Sequence, residues 1–275
     1  MELIKPSWEI LEQESGIDGI YKAIERAGRT CYKSEDKITE NSAKPFVDRM
    51  IKSGHGAMLE HGTVYLAMPM ETIIPIEANG WGKYTKNPYS KGFKVCEVNG
   101  QRRVAVTTNL RVLVENDWLG DLQYICEPTE YHKRRVCVRY TSDIHFYKDI
   151  TRHRVFSWAI ESTRFCNYMK QKFGSSISFA IPIWLKEEEE LEFEEDLRVI
   201  ESLYFKWIKK GWQPQQAAYF LIQGTKAEIV MTGFISDYKH FFDLRSEIAK
   251  TGKPHPTVVE LIEPLRQEFI KRKLI

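Results

Sequence analysis

Asn99-Gly100 stands between two partly β-branched runs at 93–98 and 102–106. An Asn-Gly pair tolerates the positive φ of a two-residue hairpin turn, so this stretch is expected to fold back as antiparallel strands. Around it, helical and strand periodicities intermix. Apolar residues recur at helical spacing over 17–30 (Ile20, Ile24, Ala27) and over 39–53 (Ala43, Phe46, Val47, Met50, Ile51). The second of these opens at Thr39/Asn41 and closes at Gly54-His55-Gly56. Residues 63–68, 135–141 and 177–181 read as strands, and 109–119, 142–154, 214–222, 235–248 and 256–272 as helices. The acidic run 187–190 opens a long amphipathic helix to about residue 211, where carboxylates offset the helix dipole. The later helices surround an apolar segment, Ile229-Val230-Met231-Thr232-Gly233. The expected class is α+β, an antiparallel-rich sheet packed with long helices.

Charge narrows the partners. Forty basic and 38 acidic residues leave a net charge of +2, without the basic excess of a nucleic-acid-coating or membrane-surface protein. An anionic ligand must therefore be met by a local cluster. The five cysteines (31, 96, 126, 137, 166) include no Cys-x-x-Cys pair, so neither zinc nor a disulfide framework is expected. Together with the mixed polar N-terminus, this points to a reducing cytoplasm. No window approaches the roughly 18–20 apolar residues of a membrane span.

The densest chemical signal runs from Arg152-His153-Arg154 to Ser162-Thr163-Arg164. Two hydroxyls and a planar guanidinium suit a phosphate. Arg152 and Arg154 would suit a second anionic or carbonyl-rich group. They share a side only where the chain turns or extends, since a helix would separate them by about 200°. A solvated surface segment is the competing reading. The interleaved Val155, Phe156, Trp158 and Ile160 favour the functional one, because arginines among core-like residues need anionic partners.

Arg152-His153-Arg154, seven residues, then Ser162 resembles the Arg-His-Arg-x7-Ser signature of flavin-dependent thymidylate synthases, and the string Glu161–Tyr168 is similar to a bacterial and phage branch. Gly54-His55 and Glu60-His61 resemble an upstream element of the family. Residues 226–233, 240–245 and His255-Pro256 resemble downstream ones. The likeness covers roughly 17–69 and 134–270, so 1–275 is expected to be one such domain with an insertion at 70–132.

The resemblance implies methylation of dUMP to dTMP, with carbon from methylenetetrahydrofolate and reducing equivalents from NADPH through FAD. It implies a homotetramer whose sites draw on several subunits. No cysteine nucleophile is needed. On the flavin side it places His55, Ala57, Glu60, Arg152, His153, Arg154, Ile160 and His240. On the nucleotide side it places Asp149, Arg152, Ile160, Glu161, Ser162, Thr163, Arg164, Ala218 and Arg245, with Arg245 facing the pyrimidine as the catalytic group. The chain departs from the pattern at four points. Ile160 replaces a Glu or Gln, Ala218 an Arg, Ile222-Gln223 a Pro-Asn, and Ala57 a Ser or Thr. Tyr219 and Lys226 are candidates to compensate. The departures keep two alternatives open: a related flavoenzyme acting on another pyrimidine nucleotide, or a non-catalytic nucleotide- or RNA-binding homologue.

Overall fold

A computed structural model describes residues 1–70, 83–98, 100–164, 166–170, 174–250 and 252–275. Strands β1 (Glu2–Ile4) and β2 (Ser7–Ile10) precede α1 (Gly16–Tyr32), α2 (Ala43–Lys52) and the short α3 (Gly56–Leu59). Then come β3 (Thr63–Pro69), β4 (Lys91–Val98), β5 (Gln101–Asn109), α4 (Leu110–Glu115), β6 (Arg135–Asp143), α5 (Ile144–Ile150), β7 (Ser157–Ile160) and β8 (Ser178–Ala180). The chain ends with α6 (Glu190–Lys209), α7 (Pro214–Ala217), β9 (Lys226–Phe234), α8 (Ile235–Arg245) and α9 (Pro256–Lys271). No helix among the described residues is long and apolar enough to cross a membrane.

The main sheet has the order β2-β6-β9-β7 with every pair antiparallel. β9 explains its position by composition. Its unbroken apolar run suits a strand covered on both faces, with Val230 in one apolar cluster and Ile229 and Met231 in another. The first cluster holds α1, α2, α3 and a second sheet, β3-β5-β4. The other cluster packs α5, α8 and α9 on the opposite face through Phe146, Phe241, Phe242, Leu261 and Phe269. A third cluster gathers Cys166, Ile177, Phe179, Leu197 and Tyr204 beneath α6.

The hairpin at residues 91–109 pairs as expected, with Val98 opposite Gln101 and Gly100 at φ +74°. Asn99 itself lies outside the described residues. β5 also pairs along the whole of β3, so the described part of 70–132 supplies two strands of the second sheet, and Tyr84, Val104, Val106 and Leu113 are fully buried.

Several boundaries differ from the sequence reading. The helix expected over 142–154 is only Ile144–Ile150, because Ser142 and Asp143 continue β6 and Asp143 caps the helix by accepting from Phe146 N at 2.7 Å. The helix expected from 39 starts at Ala43, and that at 109–119 is Leu110–Glu115 with Asn109 as its N-cap. Residues 187–211 divide into a 3-10 turn and α6; 214–222 is two short turns; and 235–248 stops at Arg245. The apolar segment 229–233 is the interior of a longer strand. β1, β2 and β7 were not expected, being too short to show a period.

Gly233 in β9 lies under the buried ring of Phe156, and a Cβ there would meet ring carbons at 2.2 and 2.4 Å. Gly233→Ala should therefore destabilise the fold by about 1–3 kcal/mol, read as a lower urea midpoint with an unchanged m-value.

Candidate active site

The Arg152-His153-Arg154 tripeptide sits in the turn between α5 and β7, not in a helix. His153 N donates to Ile150 O at 3.1 Å, and Trp158 Nε1 donates to His153 O at 3.3 Å, which holds the turn against β7. Arg152 and Arg154 are exposed, and among the described residues no carboxylate pairs with either. His153 is half-buried and turns the other way, edge-on to Phe241 at 4.9 Å and near His240 at 6.4 Å between ring centroids.

Arg245, the last residue of α8, closes this cluster. Its Nε donates to His153 Nε2 at 3.0 Å and its terminal nitrogen to Asp149 Oδ2 at 3.4 Å. Arg245 has no acceptor atom, so His153 Nε2 must carry the lone pair and the ring proton belongs on Nδ1. Burial, then the positive charge of Arg245 and His240, push the imidazole down to about 4 against the pull of Asp149. The structure thus brings together Asp149, His153, His240 and Arg245, which are up to 96 residues apart in sequence.

The segment Ile160–Arg164 follows β7. Ile160 packs as an apolar residue against the cluster beneath α5 and α8. Ser162 and Thr163 are half-buried and Arg164 is exposed; Ser162 N donates to Cys31 O at 3.0 Å. Phe165 lies outside the described residues. Glu161 is buried, its side chain only 2% exposed, and is committed inward. It accepts from Lys226 Nζ and from Glu228 N, both at 3.2 Å. Glu228 in turn binds Lys226 and Lys33, each at 2.7 Å. Burial works against the Glu228 carboxylate, but the two lysines overcome it and hold it at about 2, whereas burial prevails at Glu161 and raises it. Lys226 is therefore engaged with two carboxylates. Ala218 begins a 3-10 turn, and beside it Tyr219 is 91% exposed.

The upstream element lies elsewhere. α3 packs on α1 and β7, its Met58 and Leu59 in the cluster on the far face of the main sheet. His55 and Ala57 are exposed, with His55 Nδ1 3.2 Å from Tyr32 Oη. Glu60 is bound by Arg111 of α4, and its carbonyl accepts from Arg135 at 3.0 Å. His61 is buried against Thr232 Oγ1 at 2.8 Å, and burial, reinforced by Arg135, pushes it down to about 3, so it serves the core as a neutral ring. Sequence reasoning missed Arg111. Its spacing to Glu115 marks an i,i+4 helix pair, but nothing local ties it to Glu60, 51 residues away.

Residues 128–256 match the family described as Thymidylate synthase complementing protein, Thy1. That stretch contains Asp149, His153, Ser162 and Arg245, while His55, Ala57 and Glu60 precede it. The flavin-dependent thymidylate synthase of Pyrococcus furiosus is 31% identical over 99 residues and that of Pyrococcus abyssi 29% over 98. Each aligned stretch spans 35% of this chain and 39% of the relative. Among solved structures, the UMP/dUMP methylase PolB from Streptomyces cacaoi, bound with 5-Br dUMP, is similar at a TM-score of 0.46 and 14% identity, covering 98% of this chain and 93% of that one.

Two outcomes check the electrostatics of the site. In an imidazole NMR titration His153 should stay neutral down to about pH 4, and Arg245→Met should move its midpoint up toward 6.5. Because the folded value is depressed, the unfolded chain takes the proton first, and stability falls as pH drops from about 6.5 toward about 4. Lys226→Met should cost about 3–5 kcal/mol, since it strips the lysine from the buried Glu161; chemical denaturation measures it.

Proposed function

We propose that this chain is a flavin-dependent thymidylate synthase that methylates dUMP to dTMP, with methylenetetrahydrofolate as carbon donor and NADPH as reductant through FAD. The observation that carries the reading is the Thy1 cluster in which Arg245 is held between Asp149 and a neutral His153. The donor set fits an anionic dinucleotide. Arg152 and Arg154 are exposed cations with no carboxylate partner among the described residues, and neutral His153 adds ring contact without charge. His55, Ala57, Glu60, Arg152, His153, Arg154, Ile160 and His240 would hold FAD, which supplies the hydride chemistry when bound.

The chain's own work is positional and electrostatic. Ser162, Thr163 and Arg164 would take the 5′-phosphate through two hydroxyls and a guanidinium. Glu161 would act by anchoring that loop from below, since its carboxylate is engaged with Lys226. Arg245 would face the pyrimidine, where a guanidinium favours the N3-ionised ring and so activates C5. Asp149 and His153 fix its orientation from two sides, so little rotamer freedom is lost when the substrate arrives.

A homotetramer with shared sites is proposed with this reading, and the layout supports it. α3 and the α5–α8 pair lie on opposite faces of the main sheet, so a ligand touching His55 and Arg245 together would draw them from different chains. No feature of the balanced charge calls for nucleic acid or a membrane surface, and a cytoplasmic site of action is proposed with the reading. One second reading has a specific observation behind it. Ile160 is committed to apolar packing and Ala218 offers no guanidinium, which favours a related flavoenzyme with another pyrimidine nucleotide.

Tritium release from [5-³H]dUMP in the presence of FAD, NADPH and methylenetetrahydrofolate should be robust. Arg245→Ala should lower it at least about 100-fold while the protein stays yellow. FAD binding without tritium release would reject dUMP in favour of the second reading, and a colourless protein that ignores FAD would reject both.

A further inference from the structure

We infer that Arg111, carried by the 70–132 segment, belongs to the flavin-binding surface and sets its affinity by neutralising Glu60; this rests on the flavin reading above. Arg111 reaches across from α4 to the end of α3, where its terminal nitrogen donates to Glu60 Oε1. Its Nε donates to Glu115 Oε1 at 2.7 Å, an i,i+4 pair that holds the guanidinium in place before any ligand arrives. Gly56 makes the approach possible. A Cβ there would stand 3.1 Å from Arg111 Nε and 3.3 Å from Glu115 Oε1.

The neighbourhood shows why the pairing matters. The backbone of Glu60 is fixed from the other side, its carbonyl taken by Arg135 at 3.0 Å, so the carboxylate cannot simply swing away with the chain. Glu60 is 17% exposed and Arg111 38% exposed, so the pair lies at the surface beside exposed His55 and Ala57. Among the described residues Arg111 is the only ion-pair partner of Glu60. A ligand with a doubly charged diphosphate brought to this element meets Glu60 and Glu115 with one positive charge between them. Without that charge it would meet two uncompensated carboxylates. The repulsion would act through a partly desolvated surface, where it is screened less than in water.

Flavin fluorescence quenching on the purified full-length protein tests this. Arg111→Gln should raise the FAD Kd about tenfold at low salt, with the loss shrinking at about 0.5 M salt. Arg111→Lys should stay near wild type. Adding Glu60→Gln to Arg111→Gln should recover most of the affinity, because the amide keeps the hydrogen-bonding reach of Glu60 toward FAD and removes only the charge that Arg111 had answered. An unchanged Kd in Arg111→Gln, or a loss that Glu60→Gln does not recover, would overturn the inference and leave Arg111 as a brace between α4 and α3. A wild-type protein that takes up no FAD would instead overturn the flavin reading and the inference with it.

Discussion

Burial of β9 on both faces is the constraint on which the rest of the structure depends. A strand with Val230 facing one apolar cluster and Ile229 and Met231 facing another must sit inside the sheet, and β6 flanks it along its length while β7 pairs with Ile229 to Thr232. β9 passes straight into α8 at Ile235, and β6 passes straight into α5 at Ile144. Because β6 and β9 are antiparallel, with Asp143 opposite Lys226 and Arg135 opposite Phe234, the two helices start at opposite ends of the sheet. α8 is 11 residues long and runs back about 16 Å over that face. Its last residue, Arg245, is thereby delivered to Asp149 near the end of α5.

Two charge assemblies on this frame do different work. Lys33, Glu228, Lys226 and Glu161 alternate in sign, are mostly buried, and compensate one another, so they bind the loop after β7 to α1 and β9. A chain of that kind costs desolvation but resists rearrangement, because removing one member strands its neighbours. The Asp149–Arg245–His153 group is partly open to solvent and, among the described residues, leaves guanidinium donors uncommitted. It can accept an anion or a polarised ring without first breaking an internal network. Arg111 resembles the second kind, with a surface position and a carboxylate on either side.

Much of this was legible in the residues. α1, the 91–109 hairpin and α9 appear where periodicity and turn chemistry put them, since each rests largely on interactions between residues close in sequence, and β3 appears where its apolar, partly β-branched run put it. Helix ends were less legible. No Pro or Gly interrupts 142–154, yet Asp143 caps the helix late and the turn at Thr151 ends it early, which frees Arg152 and Arg154 from helical spacing. β7 spans four residues, too few to show its period, although it carries the core of the Arg152–Arg164 motif.

What the sequence alone determined is therefore the inventory: an α+β chain, a dense Arg-His-Arg and Ser-Thr-Arg motif, and departures at Ala57, Ile160 and Ala218. What only the tertiary structure decided is the partner of each charge. Glu161 faces Lys226, Glu60 faces Arg111, and Arg245 faces both Asp149 and His153, across separations of 51 to 96 residues. An ion pair is set by distances through space, and those distances follow from how β9 and its neighbours are packed, which no local pattern of residues records.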